Sequence, residues 1–173
     1  DLATLQQAGM LRAAAVGRAQ DRAQRADIRN DQTLWLAGQG TAQQDYLRRM
    51  DDLRADLNRT LFLGLNGFEA HYAVYDAGGF YKKHVDSFRG RKNRVVSTVT
   101  YLTPGWQESD GGHLVLYHPQ DEDREMTRIL PRAGTLAVFM SEEIPHEVLP
   151  PARPRASIAG WLRCDNLLVQ QPS

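Results

Sequence analysis

The sequence predicts an α+β protein, mainly β, with a jelly-roll-like core and N-terminal helices packed on one sheet. Three observations support this fold class. The chain has 173 residues, which suits a single domain. Helical periodicity is confined to the first third, and short β-rich runs follow one another after Gly67. Many short strands without helices between them are typical of an antiparallel sandwich or barrel.

The N-terminal third contains two candidate helices. Residues 1–26 are rich in Ala, Gln and Arg with a loose apolar stripe, which predicts a short helix followed by irregular chain. Residues 42–62 predict a longer helix, because apolar side chains recur there at steps of three and four residues. Thr41 and Gln44 have the spacing of a capping box at the start of this helix.

The remaining chain is expected to form strands separated by Gly, Pro and charged residues. The predicted strands are 68–76, 81–86, 95–102, 113–118, 135–140, 145–149 and 156–163. Two charged stretches are interpreted as solvated loops, a basic one at 86–94 and an acidic hairpin loop at 120–128. The sequence shows no internal repeat, so a solenoid is not expected.

Composition argues against several classes of protein. Lys plus Arg and Asp plus Glu both number 21, so the formal net charge is zero and nucleic acid is not an expected partner. The single cysteine, Cys164, allows no intrachain disulfide and no cysteine-based zinc cluster, and it favours a reducing compartment. The sequence contains no run of about 18 apolar residues and no signal-peptide layout, so we expect a cytoplasmic protein without a membrane anchor.

Two histidines and one carboxylate form a candidate metal site. His84 and Asp86 are two residues apart in an extended segment, which directs their side chains to one face. His146 is the third candidate, since Pro145 before it favours extended backbone. This donor set is the facial triad of non-haem Fe(II) oxygenases, although zinc hydrolases use the same ligand types. The His-x-Asp pair is weak by itself, because a surface His beside a solvated Asp is the commoner case.

Arg155 adds a candidate anion site. It follows His146 by nine residues, at the head of the predicted strand 156–163, and the turn at 150–154 can bring the two strands side by side, about 5 Å apart. Its guanidinium would then lie one small dicarboxylate's length from the metal, and Arg binds carboxylates through two parallel hydrogen bonds. The spacing favours a 2-oxo acid that chelates the metal and meets Arg155 at its far end. The alternative is a surface salt bridge.

With these residues the chain resembles the prolyl 4-hydroxylase-like 2-oxoglutarate and Fe(II)-dependent dioxygenases, in the branch of the hypoxia-inducible-factor-type prolyl hydroxylases and their bacterial counterparts. The resemblance runs from about Ile28 to Trp161. The motifs, in order, are 28–35, Tyr75 through His84-Val85-Asp86, Arg94-Val95-Val96 with Tyr101-Leu102, 111–114, and 145–148 with Arg155 and Trp161. The resemblance implies one dioxygenase domain with a double-stranded β-helix, cupin-like. Residues 1–40 would hold an N-terminal helix and a mobile substrate loop, 41–65 a supporting helix, and 66–165 the jelly-roll core.

The resemblance also implies roles for individual residues. The implied Fe(II) ligands are His84, Asp86 and His146. The implied contacts to 2-oxoglutarate are Tyr75 near its chelating end, and Tyr101 and Arg155 at its distal carboxylate. The implied substrate contacts are Asp31 and Trp35 in the mobile loop, and Arg94 at the mouth of the site. Two positions depart from the family. Asn30 replaces a usual Gly but tolerates left-handed backbone, and Ala159 replaces a residue that often carries a hydroxyl.

The function that the resemblance implies is hydroxylation of a prolyl residue in a protein, with 2-oxoglutarate and O2 as cosubstrates and succinate and CO2 as products. Elongation factor Tu is the implied candidate substrate, and ascorbate is a candidate additional cofactor. One alternative is an oxygenase of a small molecule or of alkylated nucleic acid. For nucleic acid, the zero net charge and Trp161 in place of a second Arg argue against it. Another alternative is a non-catalytic jelly-roll module that binds a small carboxylate.

Overall fold

Two antiparallel sheets form the body of the computed structural model, which describes residues 1–14, 27–87 and 93–165. The helices are α1 (Leu2–Gln7) and α2 (Gly40–Leu61), and the strands are β1 (Arg12–Ala13), β2 (Gln32–Trp35), β3 (Gly67–Tyr75), β4 (Tyr81–His84), β5 (Arg94–Tyr101), β6 (Leu114–His118), β7 (Asp121–Ile129), β8 (Leu136–Met140), β9 (His146–Val148) and β10 (Arg155–Arg163). The larger sheet has the order β1-β2-β3-β10-β5-β8, and the smaller one β4-β9-β6-β7.

Apolar side chains from both sheets meet in one core. This core contains Ala73, Tyr75, Tyr101, Ala137 and Phe139 from the larger sheet, and Leu114, Leu116 and Val148 from the smaller one. Because neighbouring residues of a strand point to opposite faces, every second residue of β3, β5 and β8 enters this space. The two layers form the jelly roll that the sequence predicts, and the site described below lies between them.

Helix α2 packs on the outer face of the larger sheet. Leu53 and Leu57 contact a cluster that includes Val96 and Leu162, and Tyr46 packs beside Ile158. The predicted helix is confirmed with nearly the same bounds.

The predicted capping box of α2 is wrong. The helix begins at Gly40 with Gln39 as N-cap, so Thr41 already lies inside the first turn. The side-chain oxygen of Gln43 instead accepts hydrogen bonds from the backbone N–H groups of Ala37 and Gln39, both at 3.2 Å. The side chain of Gln43, from the first turn of the helix, therefore binds the backbone of the segment that precedes the helix.

The acidic hairpin loop predicted at 120–128 is a strand. Strand β7 pairs with β6 and forms one edge of the smaller sheet, and it is exposed along its length except at Ile129. An exposed edge strand has no buried face, so it needs no alternation of apolar and polar residues. Charged side chains at an edge also discourage pairing with other chains, which explains why this strand has the composition of a loop.

The segment predicted as a mobile substrate loop forms regular pairs with both sheets. Arg29 pairs with Tyr81 of the smaller sheet in an isolated β-bridge, and β2 pairs with β3 of the larger sheet. The backbone of Asn30 is not left-handed. Its side-chain oxygen accepts a hydrogen bond from the backbone N–H of Phe80 at 2.7 Å. Gln32–Trp35 within this segment are thus strand β2, whose partner strand lies far away in sequence, and the mobility of the segment stays a prediction.

Two further expectations concern other parts of the chain. Most of the basic loop predicted at 86–94 lies outside the described residues, which omit 88–92. The short N-terminal helix is present as α1, and the chain after it pairs with β2 as strand β1 before residues 15–26, which are also outside the described part. Within the described ranges, neither helix has the length and apolarity needed to cross a membrane.

Candidate active site

Three side chains from two neighbouring strands and the chain just after β4 converge between the sheets. His84 of β4 and His146 of β9 are a cross-strand pair, and Asp86 follows β4 with its N–H bonded to the carbonyl oxygen of Ser141 at 3.1 Å. The Nε2 atom of His84 lies 3.5 Å from Asp86 Oδ1, and Nε2 of His146 lies 3.6 Å from Asp86 Oδ2. One ligand atom of each residue lies within 4.8 Å of the others, a spacing at which one metal ion can contact all three.

Backbone carbonyl groups set the tautomer of both imidazole rings. Nδ1 of His84 lies 2.7 Å from the carbonyl oxygen of Lys82, and Nδ1 of His146 lies 3.0 Å from that of Ile144. A carbonyl oxygen only accepts, so in a neutral ring the proton is on Nδ1 and the lone pair is on Nε2. Both lone pairs therefore face the carboxylate of Asp86, as metal ligation requires.

A pair of serines supports the carboxylate of Asp86. Ser97 of β5 donates a hydrogen bond from its Oγ to Asp86 Oδ2 at 2.6 Å, and its Oγ lies 2.8 Å from that of Ser141. Burial opposes ionisation of Asp86, but His146, His84 and the Ser97 hydroxyl outweigh it and hold the pKa of Asp86 well below its ordinary value. Burial lowers the pKa of His146. Both residues are thus held in the protonation states that bind a metal.

The second half of the site is a buried guanidinium that has no acidic partner among the residues the structure describes. Arg155 is 1% exposed, and its Nη1 donates to the carbonyl oxygen of Gly112 at 3.1 Å, while its Nε has no hydrogen-bond partner among the described residues. Its guanidinium carbon lies 5.0 Å from the ring centroid of Tyr101 and 5.1 Å from that of Tyr75. The buried hydroxyl of Tyr101 also lacks a partner in the described part of the chain. A carboxylate would satisfy both orphaned groups.

Strand β5 connects the two halves. Ser97, which supports Asp86, and Tyr101, which lies beside Arg155, are four residues apart and point to the same face of β5, about 13 Å apart along the strand. Ala159 lies on the neighbouring strand opposite Val99 and offers only a methyl group there. A dicarboxylic 2-oxo acid that chelates a metal at one end and reaches Arg155 with the other fits this arrangement.

The three residues predicted to contact the substrate lie in different environments. Trp35 is 46% exposed, and its ring packs near His71 and Trp161. Arg94 lies over the ring of Trp161, 3.6 Å from its centroid, and its Nε donates to Glu69 at 2.7 Å. Asp31, by contrast, is 1% exposed. Both of its carboxylate oxygens accept hydrogen bonds from Arg29, so Asp31 is not free at the surface.

Sequence reasoning does not identify the residues that hold the predicted ligands in place. Ser97 could have been noticed, because it is a small polar residue inside the apolar run of β5. His71 is 4% exposed, and burial lowers its pKa to about 4. No sequence pattern points to Tyr81 or to Arg29, since their contacts to the site depend on pairs between distant segments.

Comparisons with known proteins agree with this geometry. Residues 70–163 match the family described as the 2OG-Fe(II) oxygenase superfamily. The hypoxia-inducible factor prolyl hydroxylase of Caenorhabditis elegans is 32% identical over 145 residues, which are 78% of this chain and 20% of that protein. The chain thus spans about a fifth of the length of this curated relative.

Two solved structures resemble the chain over nearly its whole length. A prolyl-4-hydroxylase of Pseudomonas putida is 42% identical with a TM-score of 0.81, covering 95% of this chain and 82% of that one. A prolyl hydroxylase of Trichoplax adhaerens, solved with a peptide fragment of the hypoxia inducible factor oxygen degradation domain, is 28% identical with a TM-score of 0.82. That match covers 98% of this chain and 79% of the other.

Proposed function

Because this chain belongs to the 2OG-Fe(II) oxygenase superfamily, we propose that it is a 2-oxoglutarate- and Fe(II)-dependent dioxygenase that hydroxylates a prolyl residue in a protein. The observation that carries the proposal is the pairing of a His-Asp-His cluster with the buried Arg155, which has no acidic partner among residues 1–14, 27–87 and 93–165. A structural zinc site would explain the cluster but would leave Nε of Arg155 without a hydrogen-bond partner in these ranges. A dicarboxylic cosubstrate explains both.

The proposal assigns each predicted site residue a task. His84, Asp86 and His146 would hold Fe(II) through Nε2, a carboxylate oxygen and Nε2. The bound iron supplies the oxidative decarboxylation of 2-oxoglutarate by O2, which yields succinate, CO2 and a hydroxylated prolyl residue. The proposed dioxygenase domain comprises residues 1–173.

The residues around the cosubstrate orient it and exclude water. Arg155 would bind its distal carboxylate, with the hydroxyl of Tyr101 as a further donor. Burial raises the pKa of Tyr101 to about 12, so its hydroxyl stays protonated and able to donate at neutral pH. The ring of Tyr75 is 3% exposed and would shield the chelating end. Ala159 leaves the floor of the site without a hydroxyl, which we expect to change the kinetics of cosubstrate or oxygen use.

A prolyl substrate is supported by the site's surroundings and by its relatives. The ring of Trp35 is 46% exposed and offers an apolar face against which a proline ring can pack, and it lies beside the buried ring of Trp161, over which Arg94 is placed. The two similar structures are named as prolyl hydroxylases, and one of them binds a peptide. Elongation factor Tu remains our proposed protein substrate and ascorbate a proposed additional cofactor. The cytoplasmic location stays a prediction.

The site is tested by anaerobic titration of the protein with Fe(II) and 2-oxoglutarate, followed by visible absorption. We expect a weak metal-to-ligand charge-transfer band that needs both ligands and that largely disappears in Arg155→Ala. The matched control is Arg153→Ala, which removes a half-exposed arginine whose guanidinium lies over Trp106. If the wild-type protein forms no band, the oxygenase site fails and a jelly-roll carboxylate-binding module becomes the better hypothesis.

The substrate is tested separately, with purified elongation factor Tu, 2-oxoglutarate, Fe(II) and air. We expect one prolyl residue to gain the mass of a single oxygen atom, together with an equal amount of succinate. The control enzyme is His146→Ala, which lacks one ligand. Succinate formation without any modified proline would reject elongation factor Tu and keep the oxygenase, because an oxygenase without its substrate still decarboxylates 2-oxoglutarate slowly.

A further inference from the structure

A stack of side chains connects the segment before β2 with the proposed iron ligand His84. The phenol ring of Tyr81 lies flat on the imidazole ring of His84, with centroids 3.6 Å apart and planes inclined by 18°. The guanidinium of Arg29 lies over the same phenol ring, 4.3 Å from its centroid. Arg29 in turn donates two hydrogen bonds to Asp31, at 2.7 and 2.5 Å. Each member of the stack therefore touches the next.

Arg29 and Asp31, at the end of the stack away from His84, are fixed by an ion pair and by backbone hydrogen bonds. The side chain of Asp31 is 0% exposed and that of Arg29 is 12% exposed, so their ion pair is shielded from solvent and salt. The backbone of Arg29 forms a β-bridge with Tyr81, and the N–H of Lys82 donates to the carbonyl oxygen of Ile28 at 2.9 Å. These bonds fix Arg29 relative to β4, so the cation stays above the ring of Tyr81.

The two histidine ligands differ in how the protein holds them. The side chain of His146 is 7% exposed and packs edge-on against Phe139 of the core, with centroids 4.7 Å apart. The side chain of His84 is 17% exposed and lies on the short edge strand β4. Its Nδ1 lies 2.7 Å from the carbonyl oxygen of Lys82, and its ring is inclined to that of His146, with centroids 4.3 Å apart. The flat contact with Tyr81 is the contact that limits the tilt of the ring plane.

We propose that Asp31, Arg29 and Tyr81 are positioning residues that hold the imidazole plane of His84 for the metal. This role rests on the proposed iron site, and it replaces the direct substrate contact predicted for Asp31. Residues that orient a ligand from behind typically change metal affinity by about 10–100-fold when they are removed. The stack should therefore act on metal binding itself, before any cosubstrate or substrate is present.

The test is Co²⁺ binding to the full chain, followed by calorimetry and by the ligand-field bands of bound Co²⁺ in the visible range. Tyr81→Leu removes the ring and should weaken Co²⁺ binding about tenfold or more and shift the bands. Tyr81→Phe keeps the ring and should bind within about twofold of wild type. The double variant Arg29→Gln with Asp31→Asn removes both charges together, leaves no buried charge unpaired, and should weaken binding less than Tyr81→Leu does.

The control is Tyr117→Leu. Tyr117 lies on the same sheet and has a similar cation–π contact, with Lys83 Nζ 3.7 Å from its ring centroid. Its hydroxyl donates a hydrogen bond to Glu147, which is not one of the proposed metal ligands. It should bind Co²⁺ like wild type. Thermal unfolding of all variants separates lost folding from lost positioning, and if Tyr81→Leu does not fold, the double variant decides.

The outcomes separate this proposal from the proposed function. Equal Co²⁺ affinity and equal bands in wild type, Tyr81→Leu and the double variant would overturn the positioning role and leave the iron site intact. Loss of affinity in Tyr81→Phe as large as in Tyr81→Leu would assign the effect to the hydroxyl group and also overturn it. No Co²⁺ binding by the wild-type protein would overturn both proposals.

Discussion

The two ends of the candidate site differ in how completely the protein satisfies its own polar groups. At the metal end, each imidazole Nδ1 bonds a carbonyl oxygen, and the carboxylate of Asp86 accepts a bond from Ser97. At the other end, Arg155 Nε and the hydroxyl of Tyr101 are buried and have no partner in the described residues. The metal end is thus arranged in advance, and the other end is completed only when a carboxylate enters.

This difference has an energetic consequence. A buried donor without a partner costs about 1–3 kcal/mol, and a buried charge costs more. The protein therefore carries a penalty at Arg155 that a bound dicarboxylate relieves, and the relief appears as affinity. At the metal end the protein itself offsets part of the cost of burying Asp86 through the hydrogen bond from Ser97, so changes there should reduce the stability of the free protein as well as its metal affinity. Substitutions at the two ends should separate these effects.

The largest effect is expected for Arg155→Met. Affinity for 2-oxoglutarate in the Mn²⁺-loaded protein should fall about a hundredfold or more, because the carboxylate loses a buried charged partner. The free energy of unfolding of the metal-free protein should stay the same or rise, since an unpaired buried charge is removed. Calorimetry measures the first quantity and urea unfolding the second. A loss of more than about 2 kcal/mol in the metal-free protein would show that the protein itself satisfies Arg155.

At the metal end, Ser97→Ala should lower both the metal affinity and the stability of the metal-free protein. Mn²⁺ affinity should fall about tenfold, because Asp86 loses the hydrogen bond that orients it. The metal-free protein should also lose about 1–2 kcal/mol, because Ser141 loses its partner too. The adjacent Thr98→Val is the control, since that side chain points to the other face of β5. Unchanged unfolding of Ser97→Ala would remove the contrast between the two ends.

Tyr101→Phe tests the contrast between the two ends of the site by removing a single oxygen atom. We expect the KM for 2-oxoglutarate to rise about tenfold, while the free energy of unfolding stays the same or rises by up to about 1 kcal/mol, because an unsatisfied hydroxyl is removed. Tyr46→Phe is the matched variant, since the hydroxyl of Tyr46 bonds that of Thr100 at 3.1 Å. It should cost about 1 kcal/mol and leave the KM unchanged. The same result in both variants would contradict the assignment.

The smallest effect concerns His71, whose ring is buried beside those of Trp35 and Trp161. Burial, with a contribution from Arg29, lowers its pKa to about 4, so between the unfolded value near 6.5 and pH 4 only the unfolded chain binds a proton there. Stability from this group is complete above pH 6.5 and is lost as the pH falls. Between pH 7.5 and 5.5 the loss should be about 1 kcal/mol.

His71→Met should remove that part of the pH dependence, as measured by urea unfolding at the two pH values. The variant His118→Met, which removes a less buried histidine, is measured beside it. An identical slope in His71→Met and wild type would show that the buried histidine of the metal end, His146, carries the acid sensitivity instead.

The parts of the site that sequence predicts are those that local geometry determines. His84 and Asp86 come together because they are two residues apart, although β4 ends at His84 and Asp86 lies in the bend that follows it. The predicted side-by-side pairing of the strands around His146 and Arg155 is wrong. Strand β9 pairs with β4 and β6 in the smaller sheet, while β10 pairs with β3 and β5 in the larger one, so the turn between them carries the chain from one sheet to the other.

The errors occur where the partner lies far away in sequence. The composition of β7 predicts a loop because its charges carry no alternation, and only its pairing with β6 makes it a strand. The segment at Arg29 and Asp31 resembles a substrate loop, although its hydrogen bonds join it to β3 and β4. Short segments with polar composition have no periodicity to read, so long-range pairing decides their structure.

The sequence alone therefore predicted the mainly-β class, the long helix, the three candidate ligands and the arginine. These predictions depend on the periodicity of apolar residues and on residue types at short separations, which can be read over a few residues. The tertiary structure decided which side chains support them. Ser97 reaches Asp86, and Tyr81 stacks on His84, because strands distant in the chain were brought together. It also decided that Arg155 is buried and meets no acidic side chain within the described part of the chain, since burial is a property of the whole packed molecule and not of any segment.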